Sequence, residues 1–413
     1  MVKKPAWRIV AVLLGVCGAS VLALWLWTQA VATRKWAAME RSVQEGIAEA
    51  GARDGRRPVL EGDPIPGNAW DDYELALHEC SLISNDSSLR DFLWRRSGNR
   101  RGAVEAILAT HGSALEHWSR GLRRLEGRRA IDWEAMRGPD LTGEFRLAQL
   151  VACHAKILLE GGRASEASTL LLGLGLFARD VGHNGFPNQM DVAVHLYGLA
   201  VDGLKEVILS KRLAKSDLER LARGLEILDR SYETGGTDLL NARTWIGLAF
   251  LRRGSTADVL PAHRTKPGWR YAFSTKLLAV NTFETVGQWY ARNAASQSMS
   301  WSDELKITQQ IEAESKASSN PMIQDFYNRD RSTLRYRLAQ LRLLRMAAHY
   351  VATGELLRLD DPFGTTLLHS RIGSTLKVWS AYSNGLDDSG IGEWDVPLVS
   401  SILPADIVLE VRP

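Results

Sequence analysis

The sequence predicts a mainly α protein with one N-terminal transmembrane helix, an array of helical hairpins and a small antiparallel β-sheet at the C-terminal end. Three observations carry this. Residues Ile9–Trp27 form an uncharged apolar run. From Trp70 to Leu359 apolar residues recur at helical spacing with almost nothing strand-like between. After Asp360 the texture changes to β-branched, alternating residues separated by glycine and carboxylate clusters.

The apolar run, IVAVLLGVCGASVLALWLW, has nineteen residues. As a helix it is roughly 29 Å long, close to the hydrocarbon thickness of a bilayer. Lys3, Lys4 and Arg8 precede it, and Trp25 and Trp27 stand at its far end, where an aromatic belt lies. Basic residues stay cytoplasmic, so the expected topology is single-pass in a bacterial inner membrane, with the bulk of the chain in the periplasm. A cleaved signal peptide is the alternative, because Ala30-Val31-Ala32 forms an A-x-A site. No later run is long enough to cross a bilayer. Whether Cys80 and Cys153 pair in an oxidising compartment, or remain two buried thiols on helices, is left open by their spacing.

With 51 basic and 48 acidic residues the net charge is +3, which makes no case for nucleic acid as a partner. The expected organisation is a cytoplasmic tip and anchor (1–32), a membrane-proximal helix and linker (33–69), a helical domain (70–359) and a β tail (360–413). The linker reading rests on three prolines and two glycines in RRPVLEGDPIPGNAW, 56–70. Asn68 is placed to cap the helix that begins at Trp70, and Ser216 to cap DLERLARGLEILDRSY. A loop is expected over 255–270, which holds two prolines. The helix over 332–354 puts Leu334, Leu338, Leu341, Leu344 and Ala348 on one face. Arg331, Arg335, Arg342 and Arg345 gather on another, expected to be solvated and ion-paired.

The best-organised stretch is 144–180. Phe145, Leu147, Leu150, Val151, His154, Ile157 and Leu158 stripe a first helix, Gly161-Gly162 breaks it, and Ala167, Leu170, Leu171, Leu174 and Phe177 stripe a second. The turn GRASEA (162–167) resembles the inter-helix corner of tetratricopeptide repeats, over one hairpin of roughly 35 residues. The diagnostic aromatic positions and the repeat period are missing, so the array is tetratricopeptide-like at most.

In the tail, TTLLHSR (365–371), TLKVWSAYS (375–383) and DIVLEV (406–411) read as strands, with a turn at Gly373. The order Asp361-Pro362-Phe363-Gly364, then VWSAYSNGLDDSG (378–390), then Asp406-Ile407 resembles the C-terminal part of type II secretion major pseudopilins. It is similar also to the tail of anchored helical proteins of bacteria. The resemblance implies a β-sheet with a calcium loop, and covers about 360–413 only. The pseudopilin processing site Gly-Phe-Thr-Leu-Ile-Glu is absent before the apolar run, so a shared tail is implied, not membership of a filament.

From the residues themselves, NGLDDSGIGEWD (384–395) holds four carboxylates, three glycines and no basic residue. Asp387, Asp388, Glu393 and Asp395 are candidate calcium ligands, with Asn384 or Ser389 as neutral oxygens. The competing reading is a solvent-exposed acidic turn, since the EF-hand spacing is absent. Asp361 is expected to bracket the turn at Pro362 instead of binding metal. No other cofactor is expected.

Catalytic motifs are hard to find. The nine histidines form no close zinc pair. His154 is read as a satisfied core histidine. GLGLFARDVGHNG lacks the strand and the Lys-Ser/Thr of a phosphate loop, and there is no G-x-S-x-G elbow. His183, Asn184, Asn188 and Asp191 in GHNGFPNQMD could line a small site, with a structural loop as the competing reading. The expected function is a membrane-tethered, non-enzymatic scaffold that binds another envelope protein. The alternative is an exported enzyme acting on an envelope polymer or small molecule through a carboxylate pair in a helical cleft.

Overall fold

In a computed structural model, the residues described are 6–83, 87–94, 100–133, 140–232, 236–253, 275–296, 299–318, 332–364, 366–381, 389–390, 392–394 and 406–412. The helices are α1 (Ala6–Ala52), α2 (Ala69–Ser81), α3 (Ser87–Trp94), α4 (Arg101–Thr110), α5 (Gly112–Leu122), α6 (Thr142–Glu160) and α7 (Ala164–Gly182). They continue with α8 (Pro187–Leu209), α9 (Lys215–Ser231), α10 (Thr237–Arg253), α11 (Thr275–Ala295), α12 (Trp301–Ala317) and α13 (Ser332–Thr353). The strands are β1 (Ile65–Asn68), β2 (Arg124–Glu126), β3 (Leu368–Ile372), β4 (Thr375–Ser380), β5 (Gly392–Glu393) and β6 (Asp406–Val411). The chain is therefore mostly helical, with one long apolar N-terminal helix and a small C-terminal sheet.

The chain divides into two compact units, each discontinuous in sequence. Unit 1 takes residues 1–51, 240–293 and 308–328. Its α1 has no break: the window with the longest apolar run stands fully exposed, and the same helix then buries Thr28, Ala32, Met39, Val43 and Ala50. Those buried positions recur at intervals of four and seven residues, so one helix face turns inward as the apolar belt ends. Met39 and Val43 pack with Ile246 and Phe250 of α10 and with Leu278, Phe283 and Val286 of α11. Close approach is the reason for Gly247, where an added Cβ would stand 2.4 Å from Val43 and 2.7 Å from Phe283. Lys35 Nζ bonds Glu284 Oε2 at 2.5 Å, and Arg292 and Trp289 share the Glu314 carboxylate. The helix runs without interruption through Ala30-Val31-Ala32.

Unit 2 takes residues 52–239, 294–307 and 329–413. Helix α7 packs along both α6 and α8, α6 also meets α8, and α9 lies against α7. The α2/α5 pair continues the row beyond α6 and α7, and α13 closes the other side against α8 and α9. One apolar core runs through these helices into the tail sheet. The break at Gly161-Gly162 ends α6 as the sequence predicts, with Gly162 at φ 81°. Asn68 caps α2, its Oδ1 accepting from Trp70 N at 3.3 Å. Ser216 does not cap: α9 starts two residues earlier than expected, at Lys215 behind Ala214, whose carbonyl receives the Asp217 and Leu218 N–H groups. Extended Ala214 supplies the chain reversal, so Ser216 falls inside the first turn.

In the tail, β3, β4 and β6 are antiparallel neighbours, and two-residue β5 lies parallel along β6. Leu376, Val378 and Ser380 face inward, as the alternation predicts, against α13. The expected loop over 255–270 lies outside the described residues.

Candidate functional site

A groove of about 390 Å³ opens at the base of the tail, within unit 2. It is walled by Trp301 and Glu304 of α12, Leu334, Arg335, Leu338 and Arg342 of α13, Tyr232 after α9, and the turn 360–364. Helical spacing puts Arg335 and Arg342 two turns apart on one face, and the turn after α13 folds back over them.

Arg335 holds this wall together. Its Nε donates to Glu304 Oε2 at 2.7 Å, Nη2 to the Met299 carbonyl at 3.1 Å, and Nη1 to the Pro362 carbonyl. Its guanidinium carbon stands 5.6 Å from the Trp301 ring centroid, and Trp301 meets Phe363 edge-on. Arg342 donates from Nε to Asp229 Oδ1 at 2.9 Å and from Nη1 to the Asp360 carbonyl at 2.8 Å. Arg345 grips the other Asp229 oxygen at 2.9 Å and Glu226. The arginine face is thus ion-paired but not solvated: these three side chains are only 14–23% exposed. A second helix and a folded-back turn cover them, which spacing along one helix does not reveal. Arg331 lies outside the described residues.

The two tail aspartates differ. Asp361 is buried and accepts from Phe363 N at 2.9 Å, Ser380 Oγ at 2.7 Å and Ala381 N at 3.0 Å. Burial pushes its carboxyl above the ordinary range, and the three donors pull it part of the way back. It brackets the Pro362 turn and ties that turn to β4. Asp360 is exposed, and its carboxylate makes no hydrogen bond or ion pair among the described residues.

A second groove of about 320 Å³ follows the seam of α6 and α8. Trp394 closes one end: its indole donates to Asp202 Oδ1 at 2.9 Å, and Lys205 Nζ stands 5.1 Å from its ring. The Trp394 carbonyl accepts from Tyr336 Oη at 2.6 Å and Gln340 Nε2 at 3.1 Å. Lys156 is held on the Phe92 carbonyl and over its ring.

Deeper in unit 2 lies a charge network that periodicity does not disclose. Arg57 Nη1 donates to Asp180 Oδ2 at 2.6 Å and to Tyr73 Oη at 3.2 Å, Nε to the Arg124 carbonyl at 3.1 Å, and Nη2 to the Gly121 carbonyl. Tyr73 Oη donates to the same Asp180 oxygen at 3.0 Å, and Arg179 serves the other at 3.0 Å. Burial raises the Tyr73 phenol far above its ordinary range. With both charged side chains fully buried, this network fastens the segment after α1 to α2, α7 and β2.

The remaining sequence candidates fall as follows. Asp387, Asp388 and Asp395 lie outside the described residues; of Glu393 only the backbone, in β5, is described. Near that loop, Asp406 Oδ2 accepts from Gly390 N at 2.8 Å. Among the described residues no three His, Cys, Asp or Glu side chains are grouped to hold a metal ion. His183 and Asn184 are fasteners: His183 Nε2 lies 3.0 Å from the Asp54 carbonyl, and Arg53 donates to Asn184 Oδ1 at 2.6 Å. His154 is part-buried with its Nδ1 lacking a hydrogen-bond partner among the described residues, and burial lowers its titration below 6.5. Cys80 and Cys153 are buried free thiols, both pushed up to about 12 by burial.

No protein-family model, curated protein or solved structure matches the chain.

Proposed function

We propose that the chain is a single-pass, membrane-tethered scaffold whose helical body, on the periplasmic side of a bacterial inner membrane, binds another envelope protein without catalysing a reaction. The observation that carries this reading is the change of character along α1. Its apolar stretch is exposed throughout, and the same helix then becomes a packed member of unit 1. Exposed apolar surface of that extent is costly in water and free of cost in a bilayer. Lys3, Lys4 and Arg8 favour a cytoplasmic N-terminus.

The tail-base groove favours holding over catalysis. A glycosidase-like mechanism asks for two available carboxylates about 5–9.5 Å apart across a cleft. In the tail-base groove Glu304 is spent on Arg335 and Asp361 on three donors of its own turn and strand. Calcium in loop 384–395 belongs to this proposal as a brace for the sheet. A calcium titration that raises the melting temperature, and fails to do so in Asp387→Asn/Asp388→Asn, assigns the ion there; no shift removes it.

The test of the whole reading is fractionation with a C-terminal tag. The chain should resist carbonate extraction, be shaved by protease from the periplasmic face of spheroplasts, and recover a consistent partner after mild cross-linking. Release by carbonate, protection from protease, or recovery of no partner overturns it.

A further inference from the structure

We infer that the groove at the base of the tail receives a basic side chain, lysine or arginine, carried beside an apolar residue on a segment of the partner protein. This rests on the scaffold reading above and names which part of the partner is held.

The argument is one of charge that is left over. Five charged side chains line the groove: Glu304, Asp360, Asp361, Arg335 and Arg342. Both arginines are spent. Arg335 is matched by Glu304 at 2.5 Å, and Arg342 by Asp229 at 2.9 Å, with their remaining donors on the Met299, Pro362 and Asp360 carbonyls. Asp361 is turned inward onto three hydrogen-bond donors. Among the described residues Asp360 is therefore the uncompensated charge of the groove, and it stands exposed.

The walls set the rest of the chemistry. Trp301, Leu334, Leu338 and Tyr232 give an aromatic and aliphatic lining, and Met299, 44% exposed, adds a polarizable apolar surface. A lysine or arginine fits such a place by laying its methylene stem on apolar wall while its head reaches a carboxylate. About 390 Å³ accommodates one long side chain with part of a neighbour. An anionic occupant, such as a lipid phosphate, would meet Asp360, with both lining guanidiniums, Arg335 and Arg342, already paired. The charge pattern thus selects a cationic segment over an acidic peptide or an anionic membrane surface.

Panning a phage-displayed random peptide library on the purified full chain in detergent micelles tests this. Enriched peptides should carry lysine or arginine next to an apolar residue. Fluorescence anisotropy with the labelled peptides should show binding weakened at least about tenfold by Asp360→Lys, through like-charge repulsion. Met299→Glu, which adds negative charge beside the groove, should strengthen binding. Asp360 is exposed and bonded through no side-chain atom, so circular dichroism and melting of Asp360→Lys should match the wild type. Enrichment of acidic or neutral peptides, no enrichment, or basic peptides indifferent to both variants overturns the inference. If the tagged chain still recovers its partner when the peptides fail, the groove assignment falls and the scaffold stands. If neither binds, both fall.

Discussion

Replacing Arg57 by methionine removes the charge at the centre of the buried network while keeping an unbranched apolar stem. Asp180 then loses its 2.6 Å partner but keeps Arg179 and Tyr73, each at 3.0 Å. The Gly121 and Arg124 carbonyls each lose a donor. Breaking one side of a buried ion pair costs about 3–5 kcal/mol, and the two carbonyls add roughly 1 kcal/mol each. Arg179 and Tyr73 offset part of this, so we expect a net loss of about 4 kcal/mol. For a body of this size that lowers the melting temperature by roughly 8–16 °C. Urea unfolding of the full chain in detergent micelles measures it. Near-ultraviolet circular dichroism is the sensitive probe, because Tyr73 stacks edge-on with both Trp70 and Phe177. The second arm is Arg57→Met/Asp180→Leu, which removes both charges and should recover more than half of the loss. A single-variant cost below about 1 kcal/mol, or a double variant no better than the single, would refute the claim that the pair is coupled in a water-free interior.

Four further outcomes are expected. Asp361→Ala leaves the Phe363 and Ala381 N–H groups and the Ser380 hydroxyl without their acceptor and should cost about 2–4 kcal/mol by the same urea assay. Glu144, buried in the first turn of α6 and paired with Arg129, and Asp361 both titrate above their ordinary values when folded, because of burial. Each therefore contributes stability present below its unfolded value and lost as pH rises through its folded one, so Glu144→Gln should steepen the acid limb of the stability profile. Gly392→Ala would set a Cβ 1.9 Å from the Asp406 carbonyl oxygen, forcing β5 off β6; a loss of about 1–3 kcal/mol is expected by thermal melting. Cys80 and Cys153, buried and with thiols near 12, should resist alkylation until denaturant is added, and a thiol count showing them oxidised would contradict the structure.

Much of the architecture was legible because single-element periodicity determines it. The stripe Leu334–Ala348 is buried on α13, the helix break falls at Gly161-Gly162, and DIVLEV is the last strand. What periodicity cannot reach is pairing between distant segments. The two-stranded parallel piece joining Ile65–Asn68 to Arg124–Glu126 is too short and too rich in proline and charge to read as strand. Arg57 sits in an apparent linker, yet Asp180 and Tyr73 from two helices converge on it. The groove is half visible in the sequence: the Asp361-Pro362-Phe363-Gly364 turn and the arginines stand out, but Asp360 does not. Their meeting depends on Trp301 and Glu304, which no local signal connects to α13.

The unbroken course of α1 has a geometric corollary. A helix advances about 1.5 Å per residue, so Met39 stands about 18 Å beyond Trp27 and Val43 about 24 Å beyond it. With no glycine or proline joint between, the first packed core rides at a set height above whatever surface takes up the greasy stretch, and in a set azimuth about the helix axis. Unit 1 is mounted on a spindle, not hung from a string, so its standoff is written in residue count.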